Sequence, residues 1–223
     1  MPRVTALVFD FDGVILETES PAYQSWSELY ASRGVDLSLS LWRDEVGSLG
    51  RFDAAAHLEG LTGRVLTTEQ RQARWTRKLD LVAEQETMAG VEALLGEATE
   101  RNVPVAVASS DTAEWVIGHL RRLGLLDRFQ VIVTANGDPA RAKPAPTVYS
   151  EAVAALGVAP GDAVAFEDSP NGVAAAKAAG MWCVAVPNEV TRDADLAAAD
   201  WVVPTLNGIV FDDLLALPQR CPK

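Results

Sequence analysis

Six short apolar runs constrain the fold of this chain more than any other feature. TALVFDFD stands near the start, and VPVAVASS, FQVIVTA, DAVAFED, WCVAVP and DWVVP follow from Val103 onward. Each is apolar almost throughout rather than alternating, which is the pattern of a strand covered on both faces of a parallel sheet. The stretches between them read as helices with their own punctuation. Asp111 with Glu114 predicts a capping box and Gly124 a helix end; Pro146 opens a helix that Gly157 closes; Ser169-Pro170 and Gly180 bracket a third. This strand and helix alternation predicts an α/β fold with a doubly wound, Rossmann-like parallel sheet.

The rhythm breaks between about Ile15 and Met88, where no strand-like run occurs. The expected organisation is an α/β core of residues 1–15 and 88–223 with an all-helical insertion at 16–87. Ser20-Pro21 begins one helix, with Ala22, Trp26, Leu29 and Tyr30 on one face and Gly34 at its end. Thr68 precedes another, in which Trp75, Leu79 and Val82 recur at helical spacing. Trp26, Trp42 and Trp75 are expected to form the insertion's own core.

Composition narrows the function. With 31 acidic against 19 basic residues the net charge is −12, so nucleic acid or an anionic membrane surface would meet repulsion. No run near ~20 apolar residues suggests a membrane span, and MPRVTALVFD meets an acid before a signal peptide could form, so a cytoplasmic location is expected. Cys183 and Cys221 form no C-x-x-C pair, and His57 and His119 are the only 2 histidines, so a zinc site would lack ligands. A bound metal must be held by oxygens, and no obligate protein partner is implied.

In an open parallel sheet ligands bind beyond the carboxyl ends of the strands, and polar residues collect there. Strand one ends in Asp10-Phe11-Asp12-Gly13, strand two in Ser109-Ser110 and strand four in Glu167-Asp168, while Lys143 lies in the loop after strand three. Carboxylates that converge on one point repel unless a cation holds them. Mg2+ taking Asp10, Asp168 and a backbone carbonyl meets that need, and Lys143 supplies a second positive charge. The same set suits phosphoryl transfer. A carboxylate can attack phosphorus when metal and lysine offset the incoming dianion, Ser109 can donate to a phosphate oxygen, and Asp12 can serve as acid and then base.

The segments DFDGVILETE, VASSD, ARAKPAPTVY and FEDSPNGVAAAKAAG resemble the four motifs of the haloacid dehalogenase superfamily, in particular the branch of β-phosphoglucomutase and sugar-phosphate phosphatases. The resemblance spans about residues 4 to 186. It implies Asp10 as nucleophile, Asp12 as general acid and base, Ser109 as phosphate-binding serine with Ser110 beside it, and Lys143 as the neutralising lysine. Mg2+ would be held by Asp10, Asp168 and the carbonyl of Asp12, with Glu167 in or next to the coordination sphere. Residues 16–87 would be the cap that chooses a small phosphorylated metabolite, probing it with Arg51 in the segment VGSLGR.

This chain departs from the family at two places. Glu17 stands where the family usually has Asp, and Ala22 where the mutases carry a histidine, which disfavours a sugar-phosphate mutase. Asp12 itself disfavours dehalogenation. A receiver-like phosphorylation-controlled binding module is the reading from another class, but Thr134-Ala135-Asn136 after strand three offers no acid at its end. Elsewhere, His119 and His57 are expected at the surface, Cys183 as a buried apolar group, and Arg141 as a loop charge able to orient the lysine loop.

Overall fold

The computed structural model describes residues 4–43 and 52–217. Six parallel strands form one sheet in the order β3-β2-β1-β4-β5-β6: β1 (Ala6–Phe9), β2 (Val105–Ser109), β3 (Val131–Thr134), β4 (Ala163–Glu167), β5 (Trp182–Ala185) and β6 (Trp201–Val202). All six lie within the runs named above. The core helices are α5 (Val91–Glu100), α6 (Ala113–Arg122), α7 (Thr147–Leu156), α8 (Pro170–Ala178) and α9 (Phe211–Leu215). The strand order differs from the 2-1-3-4-5 order of receiver-type sheets, which removes that reading.

The two faces of the sheet carry side chains of different size. Leu7, Phe9, Val107, Val164, Phe166 and Val184 point to one face, where Leu94, Leu95, Val116, Leu120 and Phe211 of α5, α6 and α9 cover them. Their neighbours Ala6, Ala106, Ala108, Ala163, Ala165 and Ala185 line the other, against Tyr149, Ala152 and Ala176 of α7 and α8. Register keeps like with like, because Phe9 pairs with Val107 on one side and Phe166 on the other. The rings of Phe9 and Phe166 stack at 4.4 Å, and burying each contributes about 1.5–3 kcal/mol. Cys183 is buried on the small-residue face.

Among the described residues, four helices lie between β1 and α5: α1 (Glu19–Ala31), α2 (Leu39–Arg43), α3 (Ala54–Thr62) and α4 (Thr68–Ala83). They enclose a separate cluster around Tyr30, Leu37, Leu58 and Leu66. The chain leaves and re-enters the core through adjacent backbone, since Leu16 bridges Thr87 and the Met88 N–H donates to the Ile15 carbonyl at 2.9 Å.

Several local expectations need correction. α6 is capped by Thr112, whose side chain accepts from the Trp115 N–H, and not by an Asp111 and Glu114 box. Thr67, one residue earlier than expected, caps α4 in a reciprocal box with Gln70. Trp75 and Leu79 are not insertion core: they are 39% and 36% exposed, because only Leu81 and Val82 of α4 turn inward. His57 is not a free surface group, since its Nδ1 lies 2.9 Å from the Tyr30 hydroxyl. His119 is likewise half-buried, its ring packed beside those of Phe11 and Trp115.

Candidate active site

Because β1 lies between β2 and β4, the residues following it face the ends of both neighbours. The Asp10 N–H continues the ladder to the Phe166 carbonyl at 2.9 Å, and the chain then turns at Gly13, where φ is +80°. Glycine is required there. A Cβ on Gly13 would lie 2.2 Å from Asp168 Oδ2 and 2.7 Å from Asn188 Nδ2.

Asp10, Glu167 and Asp168 converge, with one oxygen of each lying within 4.8 Å of the others, all buried. Lys143 Nζ sits 2.6 Å from Asp10 Oδ1 and 2.6 Å from Glu167 Oε1. Burial works against this ammonium, but the charges of Asp10 and Glu167 outweigh it and hold the lysine above its ordinary pKa. The lysine loop is anchored three times. The Lys143 N–H donates to Ser110 Oγ at 3.1 Å, and Arg141 reaches both the Thr134 carbonyl at 3.2 Å and Glu151 at 2.7 Å. Ser110 thus meets the lysine loop through its side chain, and Arg141 ties that loop to the end of β3 and to α7.

Three carboxylates against one ammonium leave an excess of buried negative charge. Burial, followed by the charge of Glu167, pushes Asp10 well above the ordinary carboxylate range, and the same causes raise Asp168. A proton or a cation must settle that excess. Glu167 has little left to offer: Oε1 accepts from the Tyr149 hydroxyl at 2.6 Å and faces Lys143, and Oε2 takes the Asp168 N–H at 3.1 Å and the Ser169 hydroxyl at 3.4 Å. Asp168 is oriented by Asn188, whose Nδ2 donates to its Oδ2 at 2.7 Å. The carboxylate oxygens of Asp10, Glu167 and Asp168 crowd together in a buried place, so a hard cation coordinated by oxygen fits this donor set.

Ser109 is buried at the end of β2, and its Oγ accepts the Asp111 N–H at 3.0 Å, which leaves its own hydrogen to donate. Asp12 is the more accessible of the paired acids. Its Oδ1 accepts from Thr18 Oγ1 at 2.8 Å and from Trp115 Nε1 at 2.9 Å. Glu17 accepts the N–H groups of Glu19 and Ser20 at 2.9 and 3.0 Å, so this carboxylate caps α1. Arg51 lies outside the described residues.

A family model for haloacid dehalogenase-like hydrolases matches residues 4–180. The chain belongs to this family. Among relatives of this hydrolase, YhcW of Bacillus subtilis is 41% identical over 192 residues, covering 84% of this chain and 86% of its own. The validoxylamine A 7'-phosphate phosphatase of Streptomyces hygroscopicus is 32% identical, with 91% and 94% covered. A crystal structure of a variant of CbbY from Rhodobacter sphaeroides, in complex with xylulose-(1,5)bisphosphate, superposes with a TM-score of 0.73 at 29% identity, covering 92% of this chain and 96% of that one.

Of the residues named at the strand ends, Asp10, Lys143, Glu167 and Asp168 come together in the structure, and Asn188, Tyr149 and Gly172, which were not named, pack against them. Asn188 follows β5 in VPNEVT and obeys the same rule, so attention to the fifth strand end would have found it. Gly172 backs the Glu167 carboxyl group, where a Cβ would lie 1.9 Å from Cδ. Sequence spacing carries no signal for such a contact.

Proposed function

We propose that this hydrolase is a Mg2+-dependent phosphatase that releases phosphate from a small phosphorylated metabolite, most suitably a sugar phosphate, through an aspartyl-phosphate on Asp10. The observation that carries the reading is Lys143 bridging Asp10 and Glu167 beside Asp168. Asp10, Asp168 and the carbonyl of Asp12 would hold the metal, which supplies charge neutralisation for the phosphate oxygens. The substrate class is supported by the relatives, one named for validoxylamine A 7'-phosphate and one crystallised with a sugar bisphosphate.

In this mechanism Asp10 attacks phosphorus, and the bond between phosphorus and the alcohol oxygen breaks. Asp12 gives its proton to that leaving oxygen. It then takes a proton from water as the water attacks the aspartyl-phosphate, so that phosphate is released and Asp10 is restored. Lys143 offsets the dianion throughout, and Ser109 donates to a phosphate oxygen. Glu167 positions the lysine, and residues 16–87, Arg51 among them, select the leaving group. Ala22, buried on α1, puts a methyl group where the mutases have an imidazole, which favours water over a sugar as acceptor.

The test is a panel of phosphorylated sugars, hexitols and nucleotides assayed for phosphate release with Mg2+, with EDTA, and with Asp10→Asn. Turnover of a sugar or hexitol phosphate that EDTA and Asp10→Asn each abolish is expected. Steady-state hydrolysis by pure Asp10→Asn would contradict the nucleophile, and isomerisation dependent on a bisphosphate activator would make the chain a mutase.

A further inference from the structure

Trp115 is the third residue of α6, and its indole leaves the helix toward the site. Its Nε1 donates to Asp12 Oδ1 at 2.9 Å, the same oxygen that accepts from Thr18. An indole N–H can only donate, so this contact pins the carboxyl group by one oxygen. Among the described residues no hydrogen bond falls on Asp12 Oδ2, which is left for a substrate. Three further groups contact the same indole. His119 meets it edge-on at 4.2 Å, Lys78 Nζ lies 4.8 Å from its ring centre, and the Trp75 ring is 6.2 Å away. Lys78 and Trp75 belong to α4 of the insertion. The core side chain that grips Asp12 therefore also carries the insertion on its ring, and this explains why Trp75 turns away from the insertion's own core.

We infer that Trp115 is a positioning residue for Asp12, aiming Oδ2 at the leaving oxygen, and that Lys78 and Trp75 of α4 hold Trp115 in place. The inference rests on the phosphatase reading above. The step affected is the one in which the proton passes from Asp12 Oδ2 to the leaving oxygen while the bond from that oxygen to phosphorus breaks. A poor leaving group depends on that proton, whereas nitrophenolate departs without it.

The experiment compares kcat/KM for 4-nitrophenyl phosphate and phenyl phosphate in the wild type, Trp115→Phe, Lys78→Met and the double variant. Trp115→Phe keeps an aromatic ring at this place, smaller than the indole, and removes the N–H. It is expected to lose about tenfold on phenyl phosphate and less than about twofold on 4-nitrophenyl phosphate. A general loss of structure would lower both alike. Lys78→Met should show a smaller loss in the same order, and the double variant should be no slower than Trp115→Phe alone. Equal losses on the two esters, or none, overturn the positioning role, and losses that multiply overturn the link to α4. A wild type inert toward both esters instead removes the phosphatase reading, and the inference with it.

Discussion

Lys143 Nζ lies 2.6 Å from Asp10 Oδ1, with the lysine side chain 1% and the aspartate 8% exposed. At such burial the pair is held by mutual need, because neither charge has water to fall back on. Lys143→Met removes the ammonium and leaves Asp10 and Glu167 facing each other. The expected cost is about 3–5 kcal/mol in urea unfolding, together with loss of activity. A cost below about 1 kcal/mol would show that the carboxylates are neutralised by other means.

Gly172 touches no substrate in this reading, yet its replacement should reach the site. A Cβ there would lie 1.9 to 2.0 Å from three atoms of the Glu167 carboxyl group. That group is itself fixed by Tyr149, Lys143 and the Asp168 N–H, so it has nowhere to retreat. Gly172→Ala is expected to destabilise by about 1–3 kcal/mol, as overpacking does, and to lower kcat through the displaced lysine. Wild-type kcat and melting temperature in this variant would mean that Glu167 has room to move.

Glu19 offers a pH test that does not involve a proposed metal ligand. Burial pushes its pKa up to about 7 from 4.5, with Lys78 opposing and Asp12, Glu17 and Asp111 adding to the rise. The folded state therefore holds a proton more tightly than the unfolded chain. The stability this contributes is complete below pH 4.5 and is lost as pH rises toward about 7. Glu19→Gln is neutral at every pH and escapes that loss. Its melting temperature relative to wild type should climb between pH 4.5 and 8; a constant difference across that range would place Glu19 at its ordinary value.

What the sequence made legible follows from the range of the forces involved. The strands and the acids at their ends are readable because burial on both faces and the carboxyl-end rule are written in consecutive residues: AVAFED holds both β4 and the Glu167-Asp168 pair at its end. Trp75 misled because helical spacing reports which residues share a face, not whether that face meets its own insertion or Trp115 of the core. The cap of α6 moved from Asp111 to Thr112 for a similar reason, since Asp111 also answers to Ser109, which accepts its N–H. Gly172 and Asn188 act through contacts with Glu167 and Asp168 that only the folded chain brings together.

Asn188 carries the last prediction. Its Nδ2 donates to Asp168 Oδ2 at 2.7 Å, while its Oδ1 accepts the N–H groups of Val190 and Thr191 at 2.9 and 3.0 Å. The amide is thus fixed on one side by the loop after β5, and it fixes the aspartate on the other. A partner of this kind orients a metal ligand without touching the metal, and its loss typically weakens metal affinity by about 10–100-fold. Asn188→Ala should therefore raise the Mg2+ concentration for half-maximal activity by about that factor, and saturating Mg2+ should recover most of the rate. Asn188→Asp should be worse, since it sets another carboxylate against Asp168. An Asn188→Ala enzyme with an unchanged Mg2+ dependence would show that Asp168 holds its orientation through its own backbone.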